Sequence, residues 1–355
     1  MGRLRRSDCS GPGIARRRRG RGFAYLDEDG VRITDEEVLG RIRELAIPPA
    51  WRDVWICPYP MGHLQATGVD AAGRKQYLYH PRWRERMDQR KFDEMLEFAR
   101  ALPSIRRKIA KGLARPEMDR PRVLSCAVRL LDRGFFRIGS EGYAEQNNTF
   151  GLATMRKEHV TVNGDGSIIF DFPAKGGVRR IQGLADPEVH EVVRALRRRR
   201  GGGYELLAWK EGRRWRDVRS DDINAFLREL SGADYSAKDF RTWNATVLAA
   251  VALGASAHAA RGSKTARKRA KTRAIKEVAR YLGNTPAVAR ASYIDPRVFD
   301  RFDSGWTIAP VLPDAADLTD ARMRARVEAA VIDLIEDHRA SDVVERGAEA
   351  LPEAA

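Results

Sequence analysis

The spacing of apolar residues divides the chain into a strand-rich first part and a largely helical remainder. Between residues 23 and 79, short apolar runs are broken by Gly, Pro and Asp, a pattern typical of strands. The predicted strands lie in FAYLDEDGVRI, VWICPYP and KQYLYH. EEVLGRIREL, in the same part, has helical spacing. This pattern predicts a small α+β lobe.

After the lobe, apolar residues recur mostly at helical spacing. The predicted helices lie in PRWRERMDQRKFDEMLEFARAL, MDRPRVLSCAVRLLDRGFFRIG, DPEVHEVVRALRRRR, DDINAFLREL and DFRTWNATVLAAVALGA. HVTV and SIIFDF alternate instead, and the NGDG between them is a strong hairpin signal. Residues 261–276 carry eight Lys or Arg and no acid, which indicates a basic linker or helix, and Gly-Asn-Thr-Pro at 283–286 ends the helix that follows.

These elements predict an α+β fold in four parts. We expect a flexible basic arm over residues 1–22, a small α+β lobe over 23–85, a larger and mostly helical domain with a β-hairpin over 90–340, and a frayed tail over 341–355.

Net charge indicates the kind of partner. The chain has 355 residues, with 65 Lys and Arg against 49 Asp and Glu, a formal net charge of +16. Such an excess is typical of proteins that bind a polyanion. We find no apolar run long enough to span a bilayer and no N-terminal signal pattern, so nucleic acid is a better partner than a membrane.

The three cysteines, Cys9, Cys57 and Cys126, lie far apart and form no CxxC pair. This spacing argues against a disulfide framework or a zinc ribbon and fits a reducing cytoplasm. The histidines are equally scattered, which argues against a tightly bound catalytic metal.

Breaking a DNA phosphodiester without a metal sets definite chemical requirements. A nucleophile must attack phosphorus, an acid must protonate the departing 5′ oxygen, and cations must neutralise the charge that grows on the non-bridging oxygens. Guanidinium groups suit the last task because their planar fork matches phosphate geometry.

Five segments together resemble the bacterial and poxvirus-type DNA topoisomerases IB. They are GVDAAGRKQYLYHP, RIGSEGYAEQNNTFGLATMRKEHV, FPAKGG, KDFRTW and LGNTPAVARASYIDP, which occur in the family's order between about residues 23 and 300. The resemblance implies a type IB topoisomerase that relaxes positive and negative supercoils. It further implies a C-shaped clamp in which residues 23–85 form the DNA-binding lobe and residues 90–340 the catalytic domain.

The resemblance also assigns catalytic roles to five residues. Tyr293 corresponds to the nucleophile and Lys175 to the general acid, while Arg137 and Arg241 correspond to the arginines that stabilise the transition state. Asn284 stands where many relatives have histidine; an amide can donate a hydrogen bond to a phosphoryl oxygen but carries no charge, so we expect a weaker electrostatic role.

The same resemblance makes KQYLYH the base-reading strand. Strand alternation puts Gln76 on one face and Tyr77 and Tyr79 on the other. The complete set of predicted DNA contacts is Arg74, Lys75, Gln76, Tyr77, Tyr79, Tyr143 and Lys238. The expected partner is double-stranded DNA, bound by a monomer in the cytoplasm, associated with the nucleoid. No cofactor is expected to be required, and magnesium is expected at most to stimulate.

Two other functions remain open from the sequence. A tyrosine recombinase shares the chemistry, but its second arginine usually follows HxxR, whereas Lys238 stands in that position here. A nucleoid-binding basic protein would explain the charge but not the ordered catalytic set. An ordinary tyrosine is usually packed, and we expect this of Tyr281, which shares a helix face with Val278 and Leu282.

Overall fold

The computed structural model describes residues 3–312, 320–338 and 341–346. The chain divides into two compact units, Met1–Asp93 and Glu94–Ala355. The division falls inside a long helix, α2 (Pro81–Leu113), a few residues after the predicted end of the lobe.

The first unit is built on a five-stranded antiparallel sheet with strand order β2-β1-β3-β4-β5. The strands are β1 (Ile14–Arg19), β2 (Gly22–Leu26), β3 (Arg52–Ile56), β4 (Leu64–Val69) and β5 (Lys75–Tyr79). Helix α1 (Glu36–Glu44) begins at Asp35, whose side chain accepts from two backbone amides of the first turn. Its Ile42 packs with Ile14, Val54, Ile56 and Ala66 in a small core.

Strand β1 corrects the prediction of a flexible arm over residues 1–22. Ile14 is buried in the core, and Arg16 is held because its guanidinium donates to the carbonyls of Ile47, Pro48 and Trp51. The side chains of residues 17–19 are exposed. The arginine run therefore forms part of a paired strand. Local composition could not indicate this, because the pairing of β1 with β3 joins segments that are far apart in sequence.

The second unit is mostly helical, and each helical segment expected from the sequence contains a helix. The helices after α2 are α3 (Arg120–Gly134), α4 (Glu141–Asn147), α5 (Pro187–Arg198), α6 (Ser220–Ser231), α7 (Ala237–Ala260), α8 (Lys264–Leu282), α9 (Pro286–Ser292), α10 (Pro296–Asp303) and α11 (Ala321–Glu336). The basic segment 261–276 is thus mainly helical, and α8 ends at the predicted Gly283. The mixed architecture confirms the α+β class.

Three small antiparallel sheets complete this unit. Their strands are β6 (Val160–Val162), β7 (Ser167–Pro173) and β8 (Arg179–Ala185), then β9 (Ala208–Glu211) with β10 (Arg214–Asp217), and β11 (Trp306–Thr307) with β12 (Glu345–Arg346). The predicted NGDG hairpin is confirmed between β6 and β7. Residues 345–346 of the predicted frayed tail pair with β11, and residues 347–355 lie outside the described residues.

Helix α7 runs through the core of the second unit, with Phe240 and Trp243 fully buried. It packs against α3 and α8, so the start of α7, the end of α3 and the end of α8 converge. Along the described residues, we find no helix that is both long enough and apolar enough to cross a membrane.

Candidate active site

The C-terminal end of α8 gathers three arginines. Three consecutive backbone carbonyls there each accept a hydrogen bond from a different guanidinium. The pairs are Arg180 with Tyr281, Arg241 with Leu282 (3.0 Å) and Arg137 with Gly283 (2.8 Å). The last carbonyls of a helix lack partners within the helix and carry the negative end of its dipole. This end of α8 therefore positions three cations that come from three separate parts of the chain.

Arg241 is the most deeply placed of the three, with only 4% of its surface exposed. It lies in the second turn of α7 and also donates to the carbonyl of Phe135 at the end of α3 (2.6 Å). Burial lowers the pKa of its guanidinium to about 10, a change that the adjacent Tyr293 opposes and Arg137 reinforces. Arg241 therefore stays charged at neutral pH, and its Nε has no partner among the described residues.

Arg137 follows α3 and joins the arginines to Asn284. Its guanidinium donates to Oδ1 of Asn284 as well as to the Gly283 carbonyl. Burial lowers the pKa of Arg137, whereas Tyr293 and Tyr143 raise it. The Nδ2 group of Asn284 is buried and has no partner among the described residues, so its two N–H donors are unused within this part of the protein.

Tyr293 lies where α9 ends. The guanidinium carbon of Arg241 lies 5.2 Å from the centroid of its ring. The Thr246 hydroxyl on α7 lies 3.3 Å from the Tyr293 carbonyl and accepts from the buried Asp295 amide (3.1 Å), which fixes the backbone directly after the tyrosine. Local sequence explains the turn, because Thr285 caps α9 and Pro286 begins it. The structure thus places Tyr293 with Arg137, Arg241 and Asn284.

Lys175 lies in the turn between β7 and β8. Gly176 and Gly177 both have positive φ there, +84° and +74°, which other residues rarely adopt. The Lys175 ammonium is exposed and lies 5.9 Å from the Tyr143 ring centroid. Lys175, Tyr143 and Arg137 line one cavity of about 350 Å³. The turn therefore presents the lysine beside Arg137.

The three arginines at the end of α8 are not compensated by a carboxylate of the residues that the structure describes. Among the described residues, Arg137, Arg180 and Arg241 form no ion pair with an Asp or Glu. Buried charges are costly unless they are paired, so a cluster of this kind is suited to an anion that binds from outside. A phosphodiester carries its negative charge on two oxygens, which suits several converging guanidinium groups.

Sequence reasoning missed Arg180 and misplaced Tyr281. Arg180 is carried by β8 and reaches a helix end 101 positions away in sequence, a contact that no local pattern indicates. Tyr281 was expected to pack against its helix neighbours, but it is 40% exposed, and its ring lies tilted against that of Phe135, with centroids 5.7 Å apart. Tyr281 is exposed because it lies in the last turn of α8, where it lines a cavity.

The other predicted DNA contacts lie on two surfaces. Lys238 is exposed one helical turn before Arg241 on α7. In the first unit, Tyr77 and Tyr79 are exposed on one face of β5, with stacked rings 6.2 Å apart.

In the turn that leads into β5, Asp70 accepts from Arg74 (3.1 Å) and from Gln76 at the start of the strand (2.9 Å). The ammonium of Lys75 lies 5.8 Å from the Tyr77 ring centroid. The predicted alternation of β5 is confirmed, since the side chains at positions 75, 77 and 79 are exposed and those at 76 and 78 are partly buried.

Comparison with known proteins finds two matching families along the chain. The family described as "Eukaryotic DNA topoisomerase I, catalytic core" matches residues 80–303, and that described as "Bacterial DNA topoisomerase IB, N-terminal domain" matches residues 22–70. The chain belongs to the type IB DNA topoisomerases. Its enzyme class is therefore that of the DNA isomerases that cleave and rejoin one strand.

Individual relatives extend this result. The chain is 29% identical to "DNA topoisomerase 1B" of Acanthamoeba polyphaga mimivirus over 287 residues, which is 79% of this topoisomerase and 85% of the viral protein. It is 28% identical over 160 residues to "DNA topoisomerase 1" of Schizosaccharomyces pombe and 27% identical over 130 residues to that of Daucus carota. These matches cover 45% and 36% of this chain but only 19% and 15% of the two cellular proteins.

The described part of this topoisomerase holds no group of three or more His, Cys, Asp or Glu side chains suited to a metal ion.

Proposed function

We propose that this enzyme relaxes positively and negatively supercoiled DNA through a transient 3′-phosphotyrosyl link at Tyr293. The observation that carries the proposal is the position of Tyr293 beside Arg241, which is buried, and Arg137, which is partly buried. Neither arginine forms an ion pair with a carboxylate in the described part of the chain. Recombinases share the cleavage step, so the proposal also rests on membership of the topoisomerase family and on the match of residues 22–70 to a topoisomerase domain.

The cleavage step exchanges one phosphodiester for another. The Tyr293 oxygen forms a bond to phosphorus and gives up its proton to solvent, while the bond from phosphorus to the 5′ oxygen breaks. Lys175 gives a proton to that leaving oxygen. The freed strand then swivels under torsion, and the 5′ hydroxyl attacks the phosphotyrosine to restore the DNA and the phenol. Bond energy is conserved, so no ATP is consumed.

The charge that develops on the phosphoryl oxygens is met by fixed donors. Arg137 and Arg241 are already oriented by the end of α8, so little reorganisation accompanies the reaction. The free Nδ2 group of Asn284 supplies a further, uncharged hydrogen bond. We propose that these donors take over the charge neutralisation that a metal ion supplies in metal-dependent nucleases. The reaction then requires no cofactor, and magnesium at most stimulates DNA relaxation.

DNA recognition in this proposal uses a C-shaped clamp. The residues that contact the major groove and its phosphates are Arg74, just before β5, and Lys75, Gln76, Tyr77 and Tyr79 on that strand. Tyr143 and Lys238 contact the backbone near the cleaved bond. The exposed tyrosine pair and the net charge of +16 support these roles. We propose that the enzyme acts as a monomer in the cytoplasm, associated with the nucleoid.

Relaxation of a plasmid that carries no recombination site tests the proposal. We expect relaxation of both supercoil signs in EDTA and without ATP, with a covalent protein–DNA adduct after denaturant quenching. Tyr293→Phe should bind DNA but form no adduct. Tyr204→Phe, at a side chain that is 79% exposed, is the matched control and should behave as the native enzyme. Adduct formation by Tyr293→Phe would exclude this tyrosine, and strand exchange without relaxation would indicate a recombinase.

A further inference from the structure

A second basic cavity adjoins the candidate site on the side of the β7–β8 hairpin. It has a volume of about 510 Å³ and no Asp or Glu among its described lining residues. We call it the Arg180 cavity. The cations that line it are Arg133, Arg137, Lys175, Arg179, Arg180 and Arg280.

Only part of this positive charge is balanced by acids. Arg133 pairs with Asp186 (3.2 Å), and Arg179 makes a two-point pair with Asp171 (2.5 Å for the closer contact). The remaining four cations pair with no Asp or Glu in the part of the chain that the structure describes. The cavity therefore keeps an excess of positive charge that a phosphate would neutralise.

Arg180 is held rigidly within this cavity. Its Nε donates to Oε1 of Gln182 (3.0 Å), its Nη2 donates to the carbonyl of Tyr281, and Gln182 in turn donates to the carbonyl of Gly134. Burial, together with the charge of Arg137, lowers the pKa of Arg180 to about 10. A charged guanidinium fixed by uncharged acceptors loses little side-chain entropy when it binds an anion, which makes it a suitable phosphate ligand.

We propose that the Arg180 cavity is a second phosphate subsite, which holds the DNA phosphate next to the scissile one on the strand that ends in the 5′ hydroxyl. The inference rests on the proposed function, in which Lys175 protonates the 5′ oxygen. Lys175 and Arg137 line both the cavity with Tyr143 and the Arg180 cavity. In this proposal, the DNA strand that carries the 5′ hydroxyl runs from Lys175 into the Arg180 cavity, and the cavity with Tyr143 lies on the other side of Lys175.

The test uses DNA duplexes in which one phosphate is replaced by a neutral methylphosphonate. The cleavage position is first mapped with the native enzyme on an unmodified duplex. We expect a methylphosphonate at the phosphate immediately 3′ to the scissile one to slow single-turnover adduct formation by about 10-fold, as the loss of one charge-assisted hydrogen bond implies.

Arg180→Met should be slowed by about the same factor on unmodified DNA, and the methylphosphonate should slow it no further, since two changes to one interaction are not additive. Arg180→Lys should recover part of the rate. Arg194→Met removes one exposed arginine from α5, outside the cavity. In this variant the methylphosphonate should slow adduct formation as much as it does in the native enzyme.

The outcomes separate the two proposals. Failure of the native enzyme to form any adduct on unmodified DNA overturns the proposed function. Normal adduct formation that the methylphosphonate does not slow overturns the subsite alone, and this result needs no variant to fold. Independent, multiplicative slowing in Arg180→Met overturns Arg180 as the ligand of that phosphate.

Discussion

Arg137, Arg180 and Arg241 show how single side chains create the chemistry of this site. Each guanidinium is partly or fully buried, and among the described residues each donates to a backbone carbonyl rather than to a carboxylate. A carboxylate partner would neutralise the charge before DNA arrived, and phosphate would have to displace it. Carbonyl acceptors fix the orientation and leave the charge intact, which is the preorganisation that a charged transition state requires.

Asn284 allows a test of the uncharged donor. Asn284→Asp keeps the oxygen that accepts from Arg137 but removes the free Nδ2 donor and adds negative charge beside the phosphate. We expect single-turnover cleavage to fall by about 10²-fold or more, since loss of one such donor typically costs that much. Asn284→Ala should be less impaired, because it adds no charge.

Asn284→His, which restores a donor and can carry charge, should cleave at least as fast as the native enzyme. Thermal unfolding of each variant checks that the fold is intact. A cleavage rate for Asn284→Asp equal to that of the native enzyme would contradict a role for Nδ2.

The sequence predicted individual site residues where they stand in a recognisable segment, but it did not predict residues that reach the site through long-range contacts. Tyr293, Arg137, Arg241 and Asn284 were assigned from the resemblance of their segments to the topoisomerases IB, and the structure brings them together. Arg180 had no such signal, because its partner Tyr281 lies 101 positions away and is contacted through a backbone carbonyl, which leaves no trace in residue type.

Among the helices and strands, the end of α8 has the largest effect on the site. Gly283 has a φ of +61°, and a Cβ at this position would lie 2.6 Å from Nη1 of Arg180. Gly283→Ala should therefore strain the turn and displace the guanidinium groups that it orients. We expect the single-turnover cleavage rate to fall by at least about 10-fold, while stability falls by about 1 kcal/mol.

Gly262→Ala is the matched control for that prediction. Gly262 has a similar φ of +69°, at the start of the α8 region, but a Cβ there would meet no atom within 4 Å. It should lose comparable stability and keep its cleavage rate. Equal loss of cleavage in both variants would mean that backbone strain alone, and not the arginine positions, limits the reaction.

A buried ion cluster connects the helices behind the site. Asp132 on α3 pairs with Arg106 on α2 (2.9 Å) and with Arg324 on α11 (2.7 Å), and Glu328 pairs with both arginines. Asn244 on α7 donates to the Asp132 carbonyl (2.9 Å). The cluster therefore fixes α11 to the end of α3, just before Arg137.

The cluster predicts a specific dependence of stability on pH. Burial raises the pKa of Asp132, but the arginines, Arg324 and Arg106 above all, together outweigh it and lower the pKa from 3.8 to about 2. A carboxylate whose pKa is lower in the folded state stabilises the protein above its unfolded pKa, and this contribution is lost as pH falls from about 4 to about 2.

We expect Asp132→Asn to lose about 3–5 kcal/mol at pH 7, because it leaves buried arginine charge poorly compensated. Its free energy of unfolding, measured with urea at several pH values, should also decline less between pH 5 and 3 than that of the native protein. Parallel pH profiles would exclude Asp132 as the titrating group.

Helices and strands were predicted best where the regular spacing of apolar residues extends over many positions. The main helices of the second unit and the NGDG hairpin follow from apolar spacing and turn chemistry. Strand β1 was missed because four successive arginines hide its alternation, and only pairing with β2 and β3 reveals it. The short pair of β9 and β10 lies in a segment rich in Gly and Arg, where local spacing carries little signal.

For the whole molecule, net charge is the property with the clearest consequence. The excess of 16 positive charges and the proposed clamp imply that many DNA phosphates are neutralised together. Each neutralised phosphate releases condensed counterions, so the logarithm of the association constant should fall linearly with the logarithm of the salt concentration. For six or more contacts, affinity should drop by at least about 10³-fold between 50 and 200 mM salt.

The measurement uses Tyr293→Phe, which keeps binding separate from cleavage, and a duplex of fixed length titrated at four salt concentrations. Adding Lys238→Ala should reduce the salt slope by about one, since one phosphate contact is lost. Adding Tyr77→Ala should weaken binding and leave the slope unchanged, because a tyrosine on β5 contributes no charge. A shallow dependence of the association constant on salt in Tyr293→Phe itself would be incompatible with a clamp that contacts phosphates along its length. The cleavage site would then have to bind DNA largely by itself.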